Sequence, residues 1–402
     1  MIQLVSTISG IEYPLEWMDE FADDGESLEV DIPSLKNAQI NRGEHIWRRF
    51  SDFLPFEQMN GEFSLGEGNT PLVHATHILR DFTGIRNLFF KNETMNPTWS
   101  FKDRGSLSCV FMAKQLGETS LATVSTGNMG HSISAYGARA GLKVIVFAPS
   151  YATEQKIRPM SLHGAIVVLV DTTDIVQLKS ALRDISDELN FRITSGNNAI
   201  RVEGYKMEAF EMAEQMKGEV PDYIVVPSSA CGHIRGIFKG YRELQRAGFI
   251  KKLPKMIPVQ AKNNSPVVSA IKQNKKQVIP FTNVHTVAGA ISTGNPMGGE
   301  EIIHKAKQYG WPAEDVTEEE IVKSQKSLAR EGVFVEPASA VSLYAVKKLR
   351  EKGEIGEQDF VVMMLTGAGL KDMGIFQRHS MDIRECKLDD LPLTVEKILH
   401  YI

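Results

Sequence analysis

Five short runs of β-branched and aliphatic residues punctuate the chain: "LATVST" (121–126), "KVIVFAP" (143–149), "AIVVLVD" (165–171), "YIVVPSS" (223–229) and "FVVMMLTGAG" (360–369). Between them lie stretches with helical composition and spacing, among them "SLSCVFMAKQLG", "HSISAYGARAG", "VQLKSALRDISDELN", "KMEAFEMAEQMKG" and "SAVSLYAVKKLRE". A strand that is apolar at nearly every position is covered on both faces, and parallel neighbours need a crossover between them. The alternation therefore predicts an α/β fold of open, mostly parallel sheets flanked by helices. Each apolar run is far shorter than the roughly 20 residues that span a bilayer.

At 402 residues the chain is long for one core, and two domains are expected. No Pro- or Ser-rich linker divides it, so the domains interleave. A smaller α/β unit is placed over 105–205, with 1–104 and 206–402 forming the larger one. The first hundred residues are less regular, with "LGEGNTPLV" reading as a turn into a strand. Lys plus Arg is 45 and Asp plus Glu is 50, a net charge of -5, which predicts neither a nucleic-acid nor a membrane partner. Cys109, Cys231 and Cys386 are too scattered for a disulfide framework or a metal cluster and fit a reducing interior. The acidic opening lacks the pattern of a secretory signal, so a cytoplasmic enzyme is expected.

Ligands of open parallel sheets bind beyond the carboxyl ends of the strands. Three loops there are unusual: "STGNMGHS" (125–132), "SSACGHIRG" (228–236) and "TGAGLKD" (366–372). The second can cradle a phosphate with backbone N–H groups at a helix start; it also reads as a tight turn. The first reads equally as a helix cap by Ser125 or Thr126, and the third as a glycine turn. Lys102, in "NPTWSFKDRG", is by itself an ordinary helix-start cation. Together the four offer what pyridoxal 5'-phosphate needs: anion donors, a lysine able to lose its charge, and polar partners for the ring oxygen and nitrogen.

The strings "LGEGNTPL", "NPTWSFKDRG", "STGNMG", "EPASA" (336–340) and "LTGAGLKD", in that order along nearly the whole chain, resemble threonine synthase, a family of fold-type II pyridoxal phosphate enzymes. The resemblance implies that Lys102 holds the cofactor as a Schiff base and shuttles protons. It implies Asn128 at the ring's phenolic oxygen, Ser229, Ala230, Cys231, Gly232 and His233 around the phosphate, and Thr366 facing the ring nitrogen. Ser125, Thr126 and Met129 would receive the amino-acid substrate, O-phosphohomoserine, with Arg201 at its phosphate. The family is usually homodimeric.

Departures cluster where substrate is read. The family usually has glycine at Trp99, which becomes a candidate pocket wall, and histidine at Ala368. Ser195 and Gly196 replace an asparagine and a serine. In "STISGIEYP", Ser6 and Ser9 stand where many relatives carry cysteines, so no metal is expected there. These changes leave a second reading open: elimination or replacement at the β-carbon of phosphoserine, phosphothreonine or a hydroxyamino acid. His131 and His233 are either additional acid–base groups or helix-start histidines bonded to backbone. Cys231 is either an activated thiol or a small residue in a turn.

Overall fold

The computed structural model describes residues 2–400 apart from 16–19, 23–24, 58, 151, 153, 173–174, 190–191 and 283. Its strands are β1 (Gln3–Ser6), β2 (Glu12–Pro14), β3 (Leu28–Asp31), β4 (Leu72–His74), β5 (Asn87–Asn92), β6 (Ser120–Val124), β7 (Lys143–Pro149), β8 (Ile166–Val170), β9 (Tyr223–Pro227), β10 (Lys255–Ala261), β11 (Glu314–Val316) and β12 (Phe360–Leu365). The larger sheet runs β11-β10-β9-β12-β5-β4, parallel except for the edge strand β4. A smaller, wholly parallel sheet runs β6-β7-β8. All five apolar runs are strands, and the α/β class is as expected.

The opening residues are more ordered than their sequence suggests. β1, β2 and β3 form an antiparallel sheet. Arg235, buried in the Gly232–Arg246 helix, ties that sheet to the interior. Its guanidinium donates to Leu28 O (2.7 Å) and to Asn197 O and Oδ1 (2.9 and 2.6 Å).

Around Lys102 the two sheets are joined by helices rather than strands. The Lys102–Gln115 helix, inside which the expected boundary at 105 falls, packs on Ala199–Tyr205. Gly105 and Gly204 lie where these helices meet, and a Cβ on Gly204 would fall on the Arg104 carbonyl. Beneath them is a buried ionic network. Arg104 donates to Glu93 through Nε and Nη2 (2.7 and 2.8 Å) and to Glu211 through Nη1 (2.9 Å). Lys91 Nζ donates to the same Glu211 (2.6 Å). Such a network is stable only because each charge has partners. No described helix is long and apolar enough to cross a membrane.

Candidate active site

Lys102 is the first residue of its helix, and the backbone before it is stitched to the loop after β12. Phe101 N–H donates to Thr366 O (3.1 Å) and Ala368 N–H to Trp99 O (3.0 Å). Trp99 takes the left-handed conformation, φ 64°, where glycine is most at ease. Its indole is 51% exposed, with its ring centre 6.4 Å from that of His131, so it stands at the rim rather than in the core.

The Lys102 nitrogen lies 4.1 Å from the centre of the Phe101 ring and 5.4 Å from that of Tyr205. Burial, reinforced by the Arg201 guanidinium, pulls its amine down to about 7, against the opposing pull of Glu336 and Glu208. Near neutral pH much of it is therefore uncharged, the form that attacks a carbonyl.

After β9 the chain turns through Cys231, φ 73°, into the Gly232–Arg246 helix. A side chain on Gly232 would collide with the Gly196 carbonyl, so the loop is pressed against the 195–198 turn. Ala230 and Met129 flank Gly196 from the other side. Ser229 Oγ is bonded to Thr293 Oγ1 (2.7 Å). Burial pushes the Cys231 thiol up to about 12, leaving it a small neutral filler of the turn rather than an activated thiol.

His233 stacks on Phe101 at 3.7 Å, and its Nε2 lies 2.8 Å from Glu208. Burial, then the positive Lys102 and Arg104, hold the imidazole well below its ordinary range. Burial and Glu93 push the Glu208 carboxyl well above its own. A neutral acid and a neutral imidazole thus share the bond. His233 Nδ1 is buried with no partner among the described residues.

Asn128 opens the Asn128–Arg139 helix, and its amide donates to both Glu336 oxygens at 3.0 Å. Ser125 Oγ accepts from Gly127 N–H (3.2 Å) and Gly130 N–H (2.9 Å), so this hydroxyl acts as a cap; Thr126 beside it is half-buried. Thr366 is buried, held by its N–H to Ser339 Oγ (2.8 Å). Arg201 is fully buried and donates only to hydroxyls, Thr194 Oγ1 (3.1 Å from Nη2) and Ser106 Oγ (3.2 Å from Nη1). Ser195 Oγ accepts from Asn197 N–H at 3.3 Å.

Of the expected residues, Trp99 and Thr366 meet the backbone beside Lys102 and His233 stacks on the neighbouring Phe101, while Asn128 is bonded to Glu336. Glu336 and Glu208 received no role from sequence. The only trace of Glu336 was its place before a helix-starting proline in "EPASA". His131, weighed as an acid–base group, has Nδ1 2.9 Å from Lys371 Nζ and Nε2 3.4 Å from His163 Nε2. Burial, Lys371 and His163 hold it down at about 3, so it is neutral at physiological pH.

The family described as pyridoxal-phosphate dependent enzyme matches residues 63–367. The threonine synthase of Methanocaldococcus jannaschii is 40% identical over 81% of this chain and 80% of its own length. That of Methanosarcina acetivorans is 38% identical over 87% and 84%. The chain belongs to the threonine synthase family of pyridoxal-phosphate dependent enzymes. Maize serine racemase shares the fold, with a TM-score of 0.65 at 19% identity over 83% of this chain and 93% of that one.

The donor set fits the cofactor of this family. The helix start at Gly232 presents backbone N–H groups to an anion. His233 Nδ1 is an orphaned buried polar atom beside it, and the packed glycine leaves no side chain in the cradle. A lysine of lowered basicity stands next to both. For the apoprotein, the rate of cofactor uptake should rise with pH through about 7 and then level off. Stopped-flow absorbance measures this; a rate still climbing at pH 10 would mean an ordinary exposed lysine is reacting.

Proposed function

We propose that the chain converts O-phosphohomoserine and water to threonine and phosphate. One observation carries the reading: the Arg201 guanidinium is fully buried beside Lys102, and no carboxylate is ion-paired with it among the described residues. A buried, unpaired cation is costly, and a substrate phosphate offsets that cost.

When bound, pyridoxal phosphate supplies the electron sink that stabilises negative charge on the substrate carbons. Lys102 would hold the cofactor through its amine and, once free, would act as the base that takes the α-proton of the substrate and returns protons further along it. The N–H groups of 229–233 hold the cofactor phosphate. His233 Nδ1–H joins them, since protonated Glu208 donates to Nε2 and leaves the ring hydrogen on Nδ1. Asn128 would hold the cofactor's phenolic oxygen and Thr366 its ring nitrogen, a hydroxyl there leaving that nitrogen unprotonated. Thr126, Met129 and the helix start held by Ser125 receive the substrate carboxylate. Trp99 walls the entrance. The same reading takes 105–205 as the smaller domain and the enzyme as a cytoplasmic homodimer, for which light scattering should give the mass of two chains.

The test is to supply O-phosphohomoserine and follow phosphate and threonine together. Equal amounts support the reading. Turnover of phosphoserine or phosphothreonine with O-phosphohomoserine untouched would overturn it in favour of β-elimination or replacement. Arg201→Met should lower kcat/KM for O-phosphohomoserine by about 10- to 100-fold, mostly through KM, the loss expected for a charge-assisted contact.

A further inference from the structure

We propose that Glu336 positions Asn128: its carboxylate grips the Asn128 amide across the two sheets and presets the angle of the donor that meets the cofactor. The inference rests on Lys102 as the cofactor's lysine, but not on the identity of the substrate.

Glu336 is the residue before the Pro337–Glu351 helix, where a carboxylate usually caps the exposed N–H groups. Here its side chain makes no cap bond. Both oxygens instead accept from Asn128 Nδ2, at 3.0 Å each. The side chain is buried, and its backbone is locked by Glu336 N–H to Gly367 O (3.0 Å). Gly367 has no room for a Cβ because the carboxylate lies over its Cα. The glycine after Thr366 is therefore required by Glu336. The helix dipole favours negative charge at this end.

The surroundings are specific. Asn128 belongs to the helix after β6, and Glu336 to the helix behind the larger sheet, so the contact bridges the two sheets. Lys371 and Asp372, from the turn after β12, and Lys156, from the Glu154–Leu162 helix, are the charges that act on Glu336. Burial raises its carboxyl, while the Asn128 bond, Lys371 and Lys156 oppose that rise. On Lys102 the charges acting are Arg201, which disfavours the ammonium, and Glu336 and Glu208, which favour it. Glu208 is held neutral by burial and Glu93.

The same bond has a consequence for Asn128. Nδ2 stands 3.0 Å from both Glu336 oxygens, so one of its hydrogens is shared between them, the other is left for a cofactor oxygen, and the amide is held at a fixed angle before that oxygen arrives. A phenolic oxygen then shares a preset donor instead of recruiting a rotating one.

The test uses the whole apoprotein, with pyridoxal phosphate as the probe and equilibrium affinity as the readout. In Glu336→Gln an acceptor for Asn128 Nδ2 remains, and the affinity should stay within about 3-fold of the parent's. In Glu336→Asp the reach shortens, and the affinity should drop about 10-fold as Asn128 loses its hold. An unchanged affinity in Glu336→Asp overturns the proposal, as does a loss in Glu336→Gln as large as that in Glu336→Asp. A Lys102→Ala control that still takes up cofactor covalently would overturn this inference and the assignment of Lys102 beneath it. Failure at Glu336 alone leaves that assignment standing.

Discussion

Lys102→Ala is expected to lower threonine formation from O-phosphohomoserine by at least about 10⁴-fold while leaving the protein folded. The loss is large because one amine both carries the cofactor and moves the protons, and general acid–base action alone accounts for about 10²- to 10⁴-fold. The fold should survive because the Lys102 nitrogen rests against the faces of Phe101 and Tyr205. Removing an amine that is largely uncharged near neutral pH from such a place costs little. Borohydride reduction of the parent enzyme, followed by peptide mass analysis, should place the cofactor on Lys102. Label on another lysine, or retained turnover in the variant, would sink the assignment.

Arg104→Met is expected to cost about 3–5 kcal/mol of stability, the range for breaking one side of a buried ion pair. Arg104 holds two carboxylates, Glu93 and Glu211, and bonds the Thr70 hydroxyl as well. Without it Lys91 still pairs with Glu211, while Glu93 keeps only the neutral donors Thr70 and Asn96 among the described residues. Urea unfolding of the two proteins measures the difference. Glu93→Gln in the Arg104→Met background should recover part of the loss, since the carboxylate left unpaired is then neutral. An Arg104→Met protein as stable as the parent would mean the network contributes only packing. The network also sets an acid limit. Burial raises Glu211, but Arg104 and Lys91 overcome this and hold it at about 2, below the usual 4.5. Its stabilisation is complete above that ordinary range and is lost as the pH falls toward 2.

What the pattern of residues revealed follows from how each element is buried. β6, β7, β8, β9 and β12 stand out because nothing polar interrupts them. β5 and β10, although interior to the larger sheet, escaped notice for identifiable reasons. "NLFFKN" contains Lys91, whose burial depends on Glu211 far along the chain. "KMIPVQA" contains Pro258, a residue that ordinarily argues against a central strand. In the site, Lys102, Asn128, the 229–233 loop and Thr366 were legible because strand ends collect ligand groups and the motifs match a family. Glu336 was not, since a glutamate before a helix-starting proline looks like a cap, and only its bond to Asn128 shows otherwise. Ser125 shows the converse. Its place in a family motif suggested substrate, while its hydroxyl is occupied by Gly127 and Gly130 N–H.

The reach of Arg235 changes how the chain can be cut. One guanidinium grips the carbonyl of Leu28 on one side and Asn197 on the other. Asn197 in turn supports the turn against which Gly232 is pressed. The opening sheet therefore acts as a keystone for a loop two hundred residues away. Trimming the chain to the region that matches the cofactor family, from residue 63 onward, would keep every catalytic side chain and remove what braces them. An engineer grafting a new N-terminus onto this enzyme would do better to join it before Gln3 than after Asp31.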